Sequence, residues 1–537
     1  MNYQRTFERT DATIIAILVI VSMAVRLVFF NGPFGSDDLV YLERAVQISE
    51  GIWTSADYNG ALRYGFNIPA GFLIFLFGKS SFVANLWPLI CSIAEVVAVY
   101  LFGQVLWGQR VALYSAMILA FLPLHVAVAT HIHADPIVSF FLTSSFILFY
   151  FAERNQVRWL YFLAGIVMGW VFWVKEYAVI TLFPFVLYPF LWRKVNLKWA
   201  YVIGGGLFML LAHLALMTFI SGDPFHLFRV ISHQVNRDVI EKGAGNLSVW
   251  YYFKYLLFDI KHTWLAGILA FFGILSIAAD KWRARLLPDG TLYVVFWLLS
   301  LIFFLSFFPI SLSPLRFAMK QSNYISLFLA PLALLSGYFL CRLRKPIGIS
   351  LFLVTLIGGF FLSGLEQQDY RLFTSNSKAA VEFEVSHPDA LFYGTQSNSN
   401  IAMEYSILDS NPDIANRFRL LGDMADSTKI SATNSRTTYV ILDAETMSWG
   451  GNSTLMKKAP ECWKPIETLQ PAGLGAGKYV LEILRTGART LLPESLWERF
   501  SRSFDKLMRP APATVYQIEL ENLWCTKTTD GQNSVRS

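Results

Sequence analysis

Long runs of apolar residues, separated by short polar connections, fill the first two thirds of the chain. About eleven such runs, each roughly 18 to 22 residues long, can cross a hydrocarbon core of about 30 Å. The first, residues 12–30, is too long for a signal-peptide core and lacks a small-residue cleavage site, so it is predicted to remain as an anchor. The predicted spans are centred near Leu18, Val96, Leu119, Phe146, Val167, Phe185, Leu210, Ala270, Leu299, Ala330 and Leu356.

Basic residues gather in the short connections on one side of this predicted bundle. Short loops rich in Lys and Arg stay in the cytoplasm, so the N-terminus is predicted to be cytoplasmic. The opposite, exported face then holds the long loops 31–81, 221–262 and 311–323 and everything after residue 365. The basic residues behind this orientation are Arg5, Arg9, Arg110, Arg154, Arg158, Arg193, Lys194, Lys198, Lys281, Arg283, Arg285, Arg342, Arg344 and Lys345.

The pattern changes after residue 365 to that of a soluble domain. Alternating or β-rich stretches at 390–393, 438–442, 479–484 and 515–520 predict a small exported α/β or α+β domain over residues 366–537. The preceding residues 1–365 are predicted to form an all-α polytopic membrane domain. Cys462 and Cys525 lie in the exported part, where an oxidising compartment favours a disulfide between them; two unpaired thiols are the alternative.

Composition excludes several classes of protein. Among 537 residues, 55% are hydrophobic and 15% are charged, with a mean hydropathy of +0.45, whereas soluble domains carry about 25% charged residues. The net charge of +6 is too small and too dispersed for a nucleic-acid partner. A P-loop and a G-x-G-x-x-G fingerprint are both absent from the sequence, which argues against an ATP-driven pump.

Carboxylates stand at the predicted outer face. Asp37 and Asp38 follow the first span and open an amphipathic helix, where they suit acid–base chemistry; capping of that helix by Ser36 or Asp37 is the alternative. Asp135 follows the third span, and here too starting the next helix, with Pro136 at its first turn, is the alternative. With His133, Asp37 and Asp135 offer the oxygen and nitrogen ligands that a divalent cation prefers.

Basic side chains collect on the same face, where they would form an anion-binding pocket at the depth of a lipid phosphate. Taken singly, each is better explained as a residue that snorkels to the interface, and only together do they indicate a pocket. Ionisable residues inside the spans, Arg26, Glu95 and His213, are further candidates. The basic residues of the predicted pocket are Arg63, Lys175, Arg237, Arg316 and Lys320.

A series of short motifs follows the order of the predicted helices and loops over roughly residues 10 to 365. The motifs are Asp37-Asp38, the segment Arg63-Tyr64 to Pro69, Leu106 to Arg110, Asp135, Lys175-x-Tyr177, Trp250-Tyr251-Tyr252, and Arg316 with Tyr324 and Pro331. Taken in order, they resemble the GT-C superfamily of membrane glycosyltransferases. The similar branch contains the dolichyl-phosphate-mannose protein mannosyltransferases and the bacterial lipid A aminoarabinose transferase.

The resemblance implies an inverting transfer of a sugar from a polyprenyl-phosphate carrier to a protein, lipid or glycan acceptor at the outer leaflet of a bacterial inner membrane. It implies catalytic roles for Asp37, Asp38 and Asp135, and adds Tyr64 and Tyr252 to the donor-binding residues. A divalent metal held by Asp37, His133 and Asp135 is a further hypothesis. A multi-span transporter or lipid flippase is the alternative function, and a membrane-anchored binding module is a third.

Overall fold

The structure, a computed structural model, describes residues 9–193, 196–243, 247–283, 285–424, 437–449 and 459–519. The chain divides into two compact units. The membrane unit comprises Met1–Pro33 and Val40–Gln367. The C-terminal unit comprises Gln368–Ser537 together with Phe34–Leu39, the short segment that carries the acidic pair.

The first eighteen helices form the membrane unit and the beginning of the C-terminal unit. Helices suit a bilayer because they satisfy all their backbone hydrogen bonds internally. A small antiparallel hairpin, β1 (Pro309–Leu312) with β2 (Leu315–Phe317), follows α16. The helices are α1 (Arg9–Val28), α2 (Asp37–Ser49), α3 (Tyr64–Phe77), α4 (Ser81–Ala84), α5 (Leu86–Trp107), α6 (Gln109–Phe121), α7 (Pro123–Ala129), α8 (Asp135–Asn155), α9 (Arg158–Val174), α10 (Phe183–Trp192), α11 (Ala200–Ser221), α12 (His226–Gln234), α13 (Tyr251–Phe258), α14 (Ile260–Thr263), α15 (Ala266–Trp282), α16 (Thr291–Phe307), α17 (Leu329–Arg342) and α18 (Lys345–Val385), with 3₁₀ turns at Asn59–Leu62, Glu176–Leu182, Leu197–Trp199 and Ser322–Phe328 and a π turn at Val235–Glu241.

Every predicted span centre lies in a helix, and the chain is a multi-pass membrane protein. Among the described residues, six helical segments are long and apolar enough to cross a membrane unaided, and α6 with α7, bent by 57°, makes a seventh. The other predicted centres lie in shorter helices, so the number eleven stays a prediction. The six segments are Thr10–Val28, Leu86–Trp107, Asp135–Asn155, Leu197–Ser221, Ser322–Arg342 and Lys345–Val385.

Glycines bring α9 and α11 into close contact. A Cβ atom on Gly165 would lie 2.1 Å from the carbonyl oxygen of Val202, and one on Gly205 would lie 2.2 Å from that of Phe162. Small residues let helix backbones approach in this way inside a bilayer, where dispersion contacts drive helix association. The close packing holds the end of α9, and with it Lys175, in place.

The C-terminal unit contains a five-stranded mixed sheet with helices, as the sequence predicts for an α/β or α+β domain. The strand order is β4-β3-β5-β7-β6. β3 is parallel to β4 and β5, and β7 is antiparallel to β5 and β6. Export of this unit stays a prediction. Its elements are β3 (Leu391–Gly394), α19 (Gln396–Leu408), α20 (Pro412–Arg417), β4 (Phe418–Leu420), β5 (Thr438–Leu442), β6 (Lys464–Leu469), α21 (Gly477–Leu491), α22 (Glu494–Met508) and β7 (Ala513–Ile518).

One predicted strand is wrong. The stretch 479–484 lies inside α21, a fifteen-residue helix. Val480 and Leu481 are buried, while Glu482 and Arg485 lie on the opposite polar face, so the apolar positions follow a helical repeat over the full length. A short apolar run does not distinguish a strand from a piece of helix. The predicted strands at 390–393 and 438–442 are confirmed as β3 and β5, and β7 covers most of the fourth; Leu520 lies outside the described residues.

Three of the four cysteines lie among the described residues. Cys91 and Cys341 are free thiols on helices α5 and α17. Cys462 is disulfide-bonded, and Cys525 lies outside the described residues. The pairing of Cys462 with Cys525 therefore stays a prediction.

Candidate active site

Asp135, the first residue of α8, is the centre of a buried polar cluster. Its side chain is fully buried. Lys175 donates to both carboxylate oxygens at 2.9 Å, Tyr177 to Oδ1 at 3.1 Å and Asn323 to Oδ2 at 3.0 Å. His133 Nδ1 lies 2.5 Å from Oδ2. A buried carboxylate is tolerated only when it is paired and hydrogen-bonded, and Asp135 meets that condition.

The end of α9 supplies the partners of Asp135. The helix stops at Val174, and Lys175 takes an extended conformation with φ −151° and ψ 127° before the 3₁₀ turn Glu176–Leu182 begins. Consecutive residues at this junction therefore point in different directions. Lys175 reaches Asp135, while Glu176 reaches Arg63.

Arg63 and Glu176 form a second buried ion pair beside the first. Arg63 Nη2 lies 3.0 Å from Glu176 Oε1 and Nε lies 3.2 Å from Oε2, a two-point contact that Arg geometry favours. Asn59 also donates to Glu176, and Arg63 also donates to the hydroxyl of Tyr41. Burial raises the pKa of the Glu176 carboxyl, but Arg63 outweighs burial, so this pKa lies below its ordinary value. The pair is charged at neutral pH.

Aromatic rings enclose the Lys175 ammonium group. The rings of Tyr177 and Tyr324 stack at a centroid distance of 4.0 Å. Lys175 Nζ lies 5.4 Å from the first ring centroid and 5.6 Å from the second, within the range of a cation–π contact. Tyr252 is fully buried on α13, and its ring lies 5.4 Å from that of Phe328. Burial raises the pKa of Tyr252 above its ordinary value, and the Asp135 charge adds to that effect.

Lys320 and Arg316 differ from the two paired cations. Lys320 is only 3% exposed, its ammonium donates to the carbonyl of Ala318 at 3.1 Å, and burial lowers its pKa. Arg316, on β2, is half-buried and has a buried Nε without a hydrogen-bond partner. Across the described residues, neither side chain has a carboxylate within ion-pair distance. Lys320 lies three residues before Asn323, which contacts Asp135.

The acidic pair stands at the start of α2, in the segment that belongs to the C-terminal unit. Asp38 is buried, and its Oδ2 accepts a hydrogen bond of 2.9 Å from the backbone N–H of Phe34. Asp37 is half-buried. Asp38 thus closes the turn that precedes the helix. Capping by Ser36 or Asp37, the alternative weighed from the sequence, stays a prediction.

Phe34 fixes the loop of the acidic pair within the C-terminal unit. Its ring packs edge-on against Tyr370 at 5.3 Å and Phe373 at 5.7 Å, and it stacks on Trp449 at 5.6 Å. Gly35 leaves no room for a side chain, because a Cβ atom there would lie 2.3 Å from Asn400 Nδ2. Its φ of +130° also requires glycine.

Six of the predicted site residues fall into three groups. Asp135, His133 and Lys175 form one cluster. Arg63 pairs with Glu176, the residue that follows Lys175. Lys320 and Arg316 have no carboxylate within ion-pair distance among the described residues. Tyr64 is buried at the start of α3, with its ring 6.3 Å from that of Trp53, and Arg237 is exposed on the π turn. Sequence reasoning missed the contributions of Glu176, Tyr177, Asn323 and Tyr324 to the cluster.

The proposed metal ligands fit poorly with the geometry at Asp135. Both of its oxygens already accept from Lys175, Tyr177 or Asn323, and the adjacent ammonium charge opposes a cation. Among the described residues, no group of three or more His, Cys, Asp and Glu side chains is placed to hold a metal ion. Metal binding by Asp37, His133 and Asp135 stays a hypothesis.

A second polar network lies inside the helix bundle and fixes α8. Arg26 donates to Ser92 Oγ at 2.9 Å and lies 2.8 Å from His125 Nδ1. His125 Nε2 lies 3.2 Å from Glu95, which also accepts from Ser139 at 2.8 Å. Ser139 is one helical turn after Asp135, so the network anchors the end of α8 that carries the buried acid. The third in-span candidate, His213, is enclosed by Phe172 and Trp173.

Solved structures share this architecture. ArnT from Cupriavidus metallidurans in the apo state superposes with a TM-score of 0.55 at 16% sequence identity, over 85% of this chain and 95% of ArnT. The crystal structure of the same protein bound to undecaprenyl phosphate gives 0.54 at 15% identity, over 86% and 96%. The chain has the GT-C fold. The resemblance inferred from the sequence is confirmed.

Sequence comparisons agree with the GT-C fold. The family model of the dolichyl-phosphate-mannose-protein mannosyltransferases matches residues 68–218. The undecaprenyl phosphate-alpha-4-amino-4-deoxy-L-arabinose arabinosyl transferase of Yersinia enterocolitica is 23% identical over 275 residues, which are 49% of this chain and 46% of the relative. The chain thus spans about half the length of the relatives that it matches.

Proposed function

We propose that this protein is an integral membrane glycosyltransferase of a bacterial inner membrane. It takes a sugar from a polyprenyl-phosphate carrier and passes it, with inversion at the anomeric carbon, to a hydroxyl or phosphate acceptor at the outer leaflet. The observation that carries the proposal is a pair of buried or half-buried cations, Lys320 and Arg316, that have no carboxylate within ion-pair distance among the described residues. Lys320 lies three residues before Asn323, which contacts the buried Asp135. A lipid-linked donor is supported by the similar proteins, which include an undecaprenyl phosphate-aminoarabinose transferase and a structure of ArnT bound to undecaprenyl phosphate.

The residues have separate tasks in this reaction. Asp37 accepts the proton of the acceptor group as that group attacks the anomeric carbon, and the bond between this carbon and the lipid phosphate breaks. Lys320 and Arg316 stabilise the negative charge that develops on the departing phosphate. Asp38 holds the loop in which Asp37 stands. Asp135 keeps Lys175 and its aromatic neighbours in place.

An apolar cavity of about 660 Å³ is a suitable site for the isoprenoid chain of the donor. Hydrophobic side chains and glycines of the helices α8 to α12 line it almost entirely. Val179 and Leu182 in its wall belong to the 3₁₀ turn that starts at Glu176, so the cavity begins within two turns of the polar cluster. This arrangement matches a lipid with a polar head and a long apolar tail.

Transfer of label from a radiolabelled polyprenyl-phosphate sugar by the purified protein tests the proposal directly. Label should move from the lipid to an added acceptor fraction and should leave a free polyprenyl phosphate. If reconstituted protein moves the intact lipid-linked sugar between leaflets without breaking its bond to phosphate, the flippase alternative is correct.

Lys320→Met is expected to weaken donor binding and to raise the stability of the donor-free protein. A hydrogen bond from a charged donor contributes about 1.5 to 3 kcal/mol, so the Kd for polyprenyl phosphate should rise about 10- to 100-fold. The buried charge has no carboxylate partner among the described residues, so removing it relieves a cost of burial. Lipid binding and melting temperature in detergent measure the two effects.

Lys254→Met is the matched control for this variant. Lys254 is an exposed residue of α13, and its replacement should change neither quantity. Equal binding by the Lys320 and Lys254 variants would contradict a phosphate contact at Lys320. A large loss of stability in Lys320→Met alone would indicate a structural role for that ammonium group.

The orientation of the chain gives a further prediction. Because the basic loops stay inside, a reporter enzyme fused after Arg344 should be active only in the cytoplasm, and one fused after Leu365 only outside it. Matched fusions to a reporter of the opposite compartment serve as the control. The reversed pattern would move the acidic pair to the cytoplasmic face and would contradict use of the donor at the outer leaflet.

A further inference from the structure

Two neighbouring helices of the C-terminal unit have sharply separated apolar and polar faces. α21 and α22 are connected by Leu492-Pro493 and pack against each other. An ion pair of 2.9 Å between Arg485 and Asp505 joins their polar sides. Val480 and Leu481 of α21 are buried, so part of its apolar face packs inside the unit.

Among the described residues, none covers the rest of that apolar face. Tyr479 and Ile483 lie one helical turn apart and are 69% and 63% exposed, and Leu491 at the end of α21 is 84% exposed. Leu496, in the first turn of α22, is 41% exposed. The three most exposed large apolar side chains among the described residues of the C-terminal unit are therefore all on α21.

Lipid explains exposure of this size elsewhere in the protein. Leu211 and Phe219 on α11 are 64% and 76% exposed, and they belong to a helical segment that is long and apolar enough to cross a membrane. On a soluble surface, a contiguous apolar patch marks a binding site. α21 thus presents to its surroundings the same kind of side chains that the membrane unit presents to lipid.

The charged residues of α21 favour an anionic lipid surface. Its sequence holds three basic residues, Lys478, Arg485 and Arg489, and one acidic residue, Glu482. A basic polar face opposite an apolar face is typical of helices that lie in a membrane interface, and anionic headgroups attract the basic side chains. The C-terminal unit also begins inside α18, which includes a membrane span, so it is tethered to a bilayer and needs only weak affinity.

From these observations we infer that α21 and the first turn of α22 bind the surface of an anionic bilayer. Tyr479, Ile483 and Leu491 enter the boundary between headgroups and acyl chains, and Lys478 and Arg489 contact the headgroup phosphates. This inference is independent of the proposed glycosyltransferase activity. It assigns the C-terminal unit a role as a peripheral membrane-binding module within an integral membrane protein.

Site-specific fluorescence of the full-length protein in nanodiscs tests the inference. An environment-sensitive dye is attached at Ile483→Cys, and at Glu482→Cys as the matched control one residue away on the polar face, both in a Cys341→Ser background. In discs of phosphatidylethanolamine and phosphatidylglycerol, a lipid-borne quencher should reduce emission at position 483 on the order of twofold more than at 482. Aqueous iodide should show the opposite preference.

A third variant tests the role of charge. Exchanging Lys478 and Arg489 for Gln should reduce quenching by the lipid-borne quencher at position 483 in these anionic discs. The protein that keeps both basic residues should show the same reduction in purely zwitterionic discs. Equal access of iodide to positions 482 and 483 would overturn the inference, because the face would then be open to water. Protection of position 483 from both quenchers would also overturn it, because protein would then cover the face.

Discussion

Asp37→Asn is expected to lower turnover by about 10²- to 10⁴-fold while folding and donor binding persist. Asparagine keeps the size and the hydrogen-bonding capacity of the side chain but cannot accept the proton of the acceptor group. As a helix cap it is about as good as aspartate, so a residue with a purely structural role would tolerate the change. Sugar transfer by detergent-purified variants of equal melting temperature measures the effect.

Asp38→Asn is the matched control, because the structure gives the two acids different surroundings. Asp38 is buried and accepts a hydrogen bond from Phe34, and an asparagine oxygen can accept the same bond. Its turnover should therefore fall by less than about tenfold. Near-normal turnover in both single variants and in the double variant would disprove the acid–base assignment, and the transporter alternative would then be favoured.

Lys175→Met should destabilise the protein by about 3 to 5 kcal/mol, because it leaves the Asp135 carboxylate buried without its main counter-charge. Sugar transfer should fall as well, since the rings of Tyr177 and Tyr324 lose the ammonium group that contacts both of them. Resistance to unfolding by dodecyl sulfate in mixed micelles measures the loss. Exposed Lys254→Met again serves as the control.

A double variant separates the loss of charge balance from the loss of contacts. Lys175→Met combined with Asp135→Asn removes both charges, so it should recover most of the stability lost in Lys175→Met alone. Additive losses in the two single variants and the double variant would contradict a coupled buried pair. If the double variant recovers stability but not sugar transfer, the Lys175–Asp135 pair is required for the activity as well as for folding.

The sequence predicted the helices and the general type of the chain well, because apolar runs report burial in lipid directly. Every predicted span centre is helical. The number of spans was harder to predict, since bends and short helices interrupt the apolar runs, as the break before Pro123 does. The strand assigned at 479–484 was wrong because a short apolar run has no reliable periodicity.

The partners within the site could be predicted only in part. Their residue types indicated that Asp135, Lys175 and Arg63 belong to the site, but the partner of each residue depends on tertiary structure. Lys175 and Asp135 are 40 residues apart, and Arg63 and Glu176 are 113 apart. From the sequence, the basic residues formed one predicted group. In the structure, Lys175 pairs with Asp135 and Arg63 pairs with Glu176. Lys320 and Arg316 have no carboxylate within ion-pair distance in the described part of the chain.

The aromatic setting of Phe34 has a consequence for how proteins of this architecture can recombine. Phe34 packs against Tyr370, Phe373 and Trp449, which follow it in the sequence by more than three hundred positions. Residue 366 looks like a natural domain boundary. Recombination between two related genes at this point would nevertheless combine the acidic loop of one protein with the aromatic residues of the other. The segment 34–39 and the C-terminal sequence are therefore expected to be inherited together, and a chimera should exchange both or neither.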